Sequence, residues 1–210
     1  MSPERILWYF ADPMCSWCWG FSPAISAIKE SYSDRLKIAL MLGGLRPGTT
    51  EPVTPKFREE ILGHWRDVQR MTGQPFVFEG AMSEGFVYDT EPASRAVITV
   101  AGIDPEAIFP YFKSVQSAFY AQGRDVTKIE TLAELAEQHN IDKPGFLERF
   151  ESEDARNKTR THFRITRETG VRGFPAIVLQ GATGHKLLTN GCRPLEELLP
   201  ELEAWLAETA

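Results

Sequence analysis

The chain is poor in cysteine, with three among 210 residues, too few for a disulfide scaffold. Long hydrophobic runs are also missing. The longest apolar stretch, Ile6 to Ala11, is stopped by Asp12-Pro13 and falls far short of the ~20 residues a membrane span needs. Lacking a small-residue cleavage site after a basic start, it does not read as a secretory leader, and the expected compartment is the cytoplasm. Positive charge is in deficit: 23 Lys and Arg against 29 Asp and Glu leave a net charge of −6, which argues against a nucleic-acid partner. The densest basic run, Arg156 to Arg167, is interrupted by Thr, His and Phe and reads as a solvated helix face. Internal repeats, low-complexity tracts and Gly/Ser linkers are absent as well. What remains is an ordinary globular composition, 42% hydrophobic and 25% charged, in a chain long enough to bury roughly 70% of its unfolded surface.

Hydrophobic patterning supplies the architecture. Ile6 to Phe10 is an aromatic and branched run that predicts a buried strand. Cys15 to about Tyr32 carries Trp19, Ala24, Ile25 and Ile28 at helical spacing, with Pro23 expected to kink or restart the helix. Leu36 to Leu42 predicts a second strand, closed by Gly43-Gly44, completing a βαβ unit with a right-handed crossover. From Thr54 to about Thr169 the patterns are mainly helical. Asp104-Pro105 is a cap followed by proline and opens a helix to about Tyr120. Ile129 to His139 forms another, with Asn140 as a left-handed stop. Phe146, Leu147 and Phe150 open a further helix, and the last ends at Gly170. Strands then return at Ala176 to Gln180 and Lys186 to Thr189 around a turn at Gly181 to Gly184, before a closing helix from Leu195 to Ala207. The expected organisation is an α/β domain formed by residues 1–48 and 170–210, split by a helical insertion at 49–169.

Cys15-Ser16-Trp17-Cys18 follows the first strand and opens the first helix. Free N–H groups and the positive end of the helix dipole favour a thiolate there. Residues three apart in a helix lie about 5 Å apart between Cα atoms, inside the roughly 4.4–6.8 Å window in which a disulfide closes with little backbone movement. Cys15 is expected to be the exposed nucleophile and Cys18, one turn inward, the resolving thiol. A zinc site would need more ligands than the chain supplies: Cys192 and His64, His139, His162 and His185 are scattered without ligand spacing, so no metal is expected. Cys192 reads as a free, partly buried thiol, and His162 as a packing or surface residue. Trp8, Trp19 and Trp65 read as core or interface residues.

Asp12-Pro13-Met14-Cys15-Ser16-Trp17-Cys18-Trp19-Gly20-Phe21 resembles the DsbA-like branch of the thioredoxin superfamily, a thioredoxin fold carrying an inserted helical domain, and within it the bacterial protein-disulfide isomerase and FrnE-like proteins. Ala118 to Asp125 with Leu132 to Ala136 resembles that family's helical-domain signature. Gly170-Val-Arg-Gly-Phe-Pro-Ala176 resembles its cis-proline loop. The resemblance spans essentially the whole chain. It implies a protein-disulfide oxidoreductase or isomerase exchanging disulfides through Cys15 and Cys18, with Pro175 cis and facing the dithiol. It also implies that the Phe174 backbone holds substrate, with Ser16 and Trp17 as further substrate contacts. Protein or peptide thiols and disulfides are the implied partners. No cofactor is implied, although glutathione suits such a loop as a redox partner. Ser16-Trp17 departs from the histidine-containing dipeptide of the strongly oxidising DsbA and from the Gly-Pro of thioredoxin. Two rival readings share the architecture. One is a glutathione-dependent transferase or isomerase of the kappa-class and 2-hydroxychromene-2-carboxylate isomerase type, which places serine where Cys15 stands. The other is a non-catalytic thioredoxin-fold holdase.

Overall fold

The computed structural model describes residues 5–182 and 184–208. Strand β1 (Ile6–Ala11) is one of the two inner strands of a four-stranded sheet ordered β2-β1-β3-β4, with β2 at Lys37–Leu42, β3 at Ala176–Gly181 and β4 at Gly184–Asn190. β1 and β2 run parallel, with Phe10 opposite Met41, and parallel strands need a crossover. Helix α1 (Ser16–Tyr32) provides it. β3 returns antiparallel to β1, with Tyr9 opposite Ile177 and Phe10 opposite Ala176, and β4 pairs antiparallel to β3. Thr183, within the expected turn, lies outside the described residues. This register carries the functional argument, because it brings the end of β1 and the start of β3 to the same edge of the sheet.

α1 buries Cys18, Trp19, Phe21, Ile25 and Ile28 on one face. The expected break at Pro23 does not occur. Pro23 lies on the exposed face, where loss of one donor to the Trp19 carbonyl is tolerated and the helix continues. Helix α2 (Pro55–Thr72) starts at Thr54, whose hydroxyl accepts the Phe57 N–H, and stops at Gly73 in the left-handed region. An irregular stretch, 73–90, leads to α3 (Glu91–Ile103). A short 3-10 turn, Pro105–Ala107, capped by Asp104, precedes α4 (Ile108–Tyr120), so the helix expected from Asp104 begins in this tighter form. Then come α5 (Ile129–Glu137), α6 (Lys143–Glu151), α7 (Glu153–Glu168) and, after β4, α8 (Leu195–Glu208). Asn140 has the left-handed conformation its position called for (φ 61°). The basic residues of α7 are mostly exposed and pair with Glu151, Glu153, Asp154 and Glu168.

One continuous apolar cluster joins the sheet to the helical stretch. Its aromatic centre is Trp65, packed edge-on against Phe119 and Tyr120 and against Phe76. Trp19 of α1 stacks on Tyr120 and donates its indole N–H to the Pro75 carbonyl at 3.0 Å. Trp8 instead lies half-buried on the sheet, bonded to Gln180 at 2.6 Å. No helix among the described residues is long and apolar enough to cross a membrane.

Candidate active site

The turn between β1 and α1 is built on Asp12. Its backbone carbonyl accepts the Cys15 N–H at 3.1 Å, and its carboxylate accepts the N–H groups of Met14 (2.9 Å) and Leu45 (2.7 Å). One side chain therefore ties the thiol loop to the segment following β2. Asp12 is fully buried, and burial pushes its acidity from 3.8 up to about 6 against the pull of those hydrogen bonds. Tyr88, from the irregular stretch, donates its hydroxyl to the Met14 carbonyl. The loop is thus fastened from two sides before the helix starts.

Cys15 is the N-cap residue of α1, extended in backbone conformation and without a side-chain cap bond. Cys18 lies one turn on, and both are free thiols. Cys15 is less open than expected: 6% of it is exposed, and Cys18 has no exposure. The reason is the loop before β3. Phe174-Pro175 is a cis peptide, Pro175 is buried, and the Phe174 carbonyl lies 3.6 Å from the Cys15 Sγ, within reach of a thiol donor. The pairing of β1 with β3 puts these two chain segments side by side. The Phe174 ring in turn lies on Gly43, where a Cβ would come within 2.1 Å of it. Gly43, expected with Gly44 to close a strand, also makes room for this aromatic ring.

Burial raises the Cys18 thiol well above its ordinary value, and the hydrogen bond and charge of Cys15 add to that effect. Cys18 therefore keeps its proton while Cys15 is free. Ser16 and Trp17 are half-buried beside the pair. Trp17 also packs against the common core. Cys192 is free and half-buried, its thiol raised first by burial and then by the charge of Cys15. His162 stands at the end of β2, its Nδ1 accepting the Leu42 N–H at 3.2 Å, and burial lowers its basicity. No group of His, Cys, Asp and Glu side chains suited to a metal occurs among the described residues. Sequence reasoning passed over Asp12, which it read only as the end of a strand, and Tyr9 and Tyr88. An acidic residue placed at the edge of an apolar run, three positions before a thiol, was the signal for the first of these.

A β2-β1-β3-β4 sheet, a dithiol at the start of the crossover helix and a proline loop set against it define a thioredoxin-fold dithiol protein. The chain belongs to the family described as DSBA-like thioredoxin domain, which matches residues 6–203. A crystal structure of a candidate protein disulfide isomerase from Nitrosomonas europaea is 44% identical. It has a TM-score of 0.93, with 99% of this chain and 100% of that chain covered. The cytosolic disulfide reductase DsbM from Pseudomonas aeruginosa is 28% identical, with a TM-score of 0.82 over 96% of this chain and 98% of its own. That reductase is also known in a structure with GSH. A curated relative, the ClpXP adapter protein SpxH from Halalkalibacterium halodurans, is 22% identical over 178 residues, 82% of this chain. The chain spans 57% of that relative's length.

Proposed function

We propose that this chain is a cytoplasmic thiol-disulfide oxidoreductase that reduces or isomerises disulfides in peptides and proteins, with glutathione as its thiol partner. The observation that carries this reading is the pair of free thiols at the start of α1, with the Cys15 Sγ 3.6 Å from the Phe174 carbonyl. In the proposed mechanism the Cys15 thiolate attacks one sulfur of a substrate disulfide, forming a mixed disulfide and expelling the other sulfur as a thiolate. Cys18 then attacks Cys15, closing the Cys15–Cys18 disulfide and releasing the second substrate sulfur, so two electrons pass to substrate. Two molecules of a thiol such as glutathione return the pair to the dithiol. Phe174 offers its backbone to an extended substrate segment in the manner of an added strand, beside Pro175, Ser16 and Trp17. The Pseudomonas reductase and its GSH structure support both the direction and the partner. In the same reading, residues 1–48 and 170–210 form the thioredoxin-fold unit and 49–169 the helical insertion.

The test is a pair of single variants in insulin reduction. Cys18→Ser should accumulate adducts on Cys15, and Cys15→Ser should be inert; equal trapping by both would refute the assignment. The adapter relative favours a second reading, a binding module that needs no thiol chemistry. A protein with both Cys15→Ser and Cys18→Ser would then keep its cellular role.

A further inference from the structure

Tyr9 sits at the centre of β1 with no exposure. Its ring is held by Phe21 of α1, with centroids 5.9 Å apart, and edge-on by Phe112 of α4, at 6.3 Å. Its hydroxyl is buried, finds no nitrogen or oxygen partner among the described residues, and has the Cys18 sulfur as the hydrogen-bonding side chain within its reach. A buried hydroxyl left unpaired is costly, and such groups are rare in folded proteins. The charged forms that act on it are those of Cys18 first, then Cys15, then Cys192. A donor without a nitrogen or oxygen partner thus faces the inner thiol of the pair.

Cys18 has a matching need. In the resting dithiol burial first, and then its hydrogen bond to Cys15, keep it protonated, against the pull of the Asp12 backbone N–H. Once Cys15 is tied up in a mixed disulfide, that hydrogen bond is gone, yet Cys18 must ionise without water to attack. We infer that the Tyr9 hydroxyl is the donor held for this moment: it hydrogen-bonds the Cys18 thiolate while Cys18 attacks Cys15. This rests on the reading of the pair as an exchange site. The step converts Cys18–SH and the mixed disulfide of Cys15 with a substrate sulfur into the Cys15–Cys18 disulfide and a free substrate thiol. One S–S bond forms as one breaks, and the proton from Cys18 ends on the departing sulfur. Tyr9 keeps its own proton, because burial and the neighbouring thiols oppose its ionisation. The other titratable groups around the pair are Asp12 in the loop, Tyr88 and Tyr120, on which Cys15 and Asp12 act, Asp89, which acts on Asp12, and Arg46, which acts on Tyr88.

The test is Tyr9→Phe, which keeps the ring and removes only the hydroxyl. The reduced protein is mixed with oxidised glutathione, quenched in acid on the millisecond scale, and its glutathionylated and internally oxidised forms are counted by mass spectrometry. Resolution should slow at least about tenfold, as expected for loss of a hydrogen bond to a charged group, and its pH profile should move upward. Glutathionylation of Cys15, read in a Cys18→Ser background, should be unchanged. The equilibrium constant with glutathione should stay within about twofold, because Cys18 is a thiol in the resting protein and the forward and reverse steps share one transition state. An unchanged resolution rate and profile would overturn the inference, and so would equal losses in both steps. If wild-type protein never closes the Cys15–Cys18 disulfide, it is the exchange reading that fails. Should Tyr9→Phe not fold, a ring-fluorinated tyrosine at position 9, a stronger donor, decides: a downward-shifted profile supports the inference and an unmoved one overturns it.

Discussion

A carboxylate shielded from water sits three residues before the first thiol, and its titration should be visible in the stability of the whole chain. Asp12 is pushed from 3.8 to about 6 by burial, so the folded protein holds this proton more tightly than the unfolded chain does. The contribution is fully present below about pH 4 and is lost as pH rises through about 6. A shift of this size corresponds to about 3 kcal/mol. His162 works in the opposite direction: burial depresses its basicity, so its contribution is present above the ordinary histidine value and is lost on acidification. Asp12→Asn isolates the first effect. At pH 4 Asp12 is a neutral carboxyl, whose single carbonyl acceptor a carboxamide reproduces, so the two proteins should have similar stability there. Wild type should then fall behind the variant by up to about 3 kcal/mol by pH 7, as read by urea unfolding across the range. Parallel curves for the two proteins would show that Asp12 titrates normally. Cys15 and Cys18 were legible in the sequence because their chemistry needs only spacing and a helix start. Asp12 and Tyr9 were not, since their roles depend on Leu45 and on a thiol one helical turn into α1, contacts that only the folded chain makes.

At the level of elements, the site depends on three segments meeting at one edge of the sheet: the ends of β1 and β2 and the start of β3. The strands themselves were readable from Ile6 to Phe10, Leu36 to Leu42 and Ala176 to Gln180, because short branched and aromatic runs bounded by Gly and Pro are strong signals. The boundaries of α2 and α3 and the irregular 73–90 stretch were not. That stretch is ordered by tertiary contacts, with Phe76 on Trp65 and the Tyr88 hydroxyl on Met14, which leave no local periodicity. Gly43 gives this junction a direct test. Gly43→Ala would place a methyl group 2.1 Å from the Phe174 ring, so the ring and its backbone must move away from Cys15. We expect a loss of about 1–3 kcal/mol, as for other overpacked positions, and slower exchange with peptide disulfides than with a small aromatic disulfide, measured by stopped flow. Gly63 of α2 has open space around its Cβ position. Gly63→Ala is the control, and it should stabilise the protein by roughly 0.5–1 kcal/mol without touching exchange.

Across the whole molecule, the sheet and the helical stretch share one apolar core, and Trp65 lies at its aromatic centre with 1% of its surface exposed. Trp65→Ala should therefore cost about 3–5 kcal/mol and lower a single unfolding transition. Fluorescence and accessibility of the Cys15 thiol should follow the same curve. Two separated transitions would mean that the helical stretch and the sheet unfold independently. The central claim, that Cys15 and Cys18 work as one redox couple, is tested most directly by equilibrating the protein in glutathione buffers of graded ratio and counting free thiols by alkylation and mass spectrometry. Without a histidine between the cysteines, the pair should titrate as a single two-electron couple with a midpoint between about −250 and −170 mV, near glutaredoxin and disulfide isomerase values. Cys192 should stay unpaired with either member. Cys15 and Cys18 remaining alkylated as two independent thiols at every ratio, with no internal disulfide formed, would contradict the account.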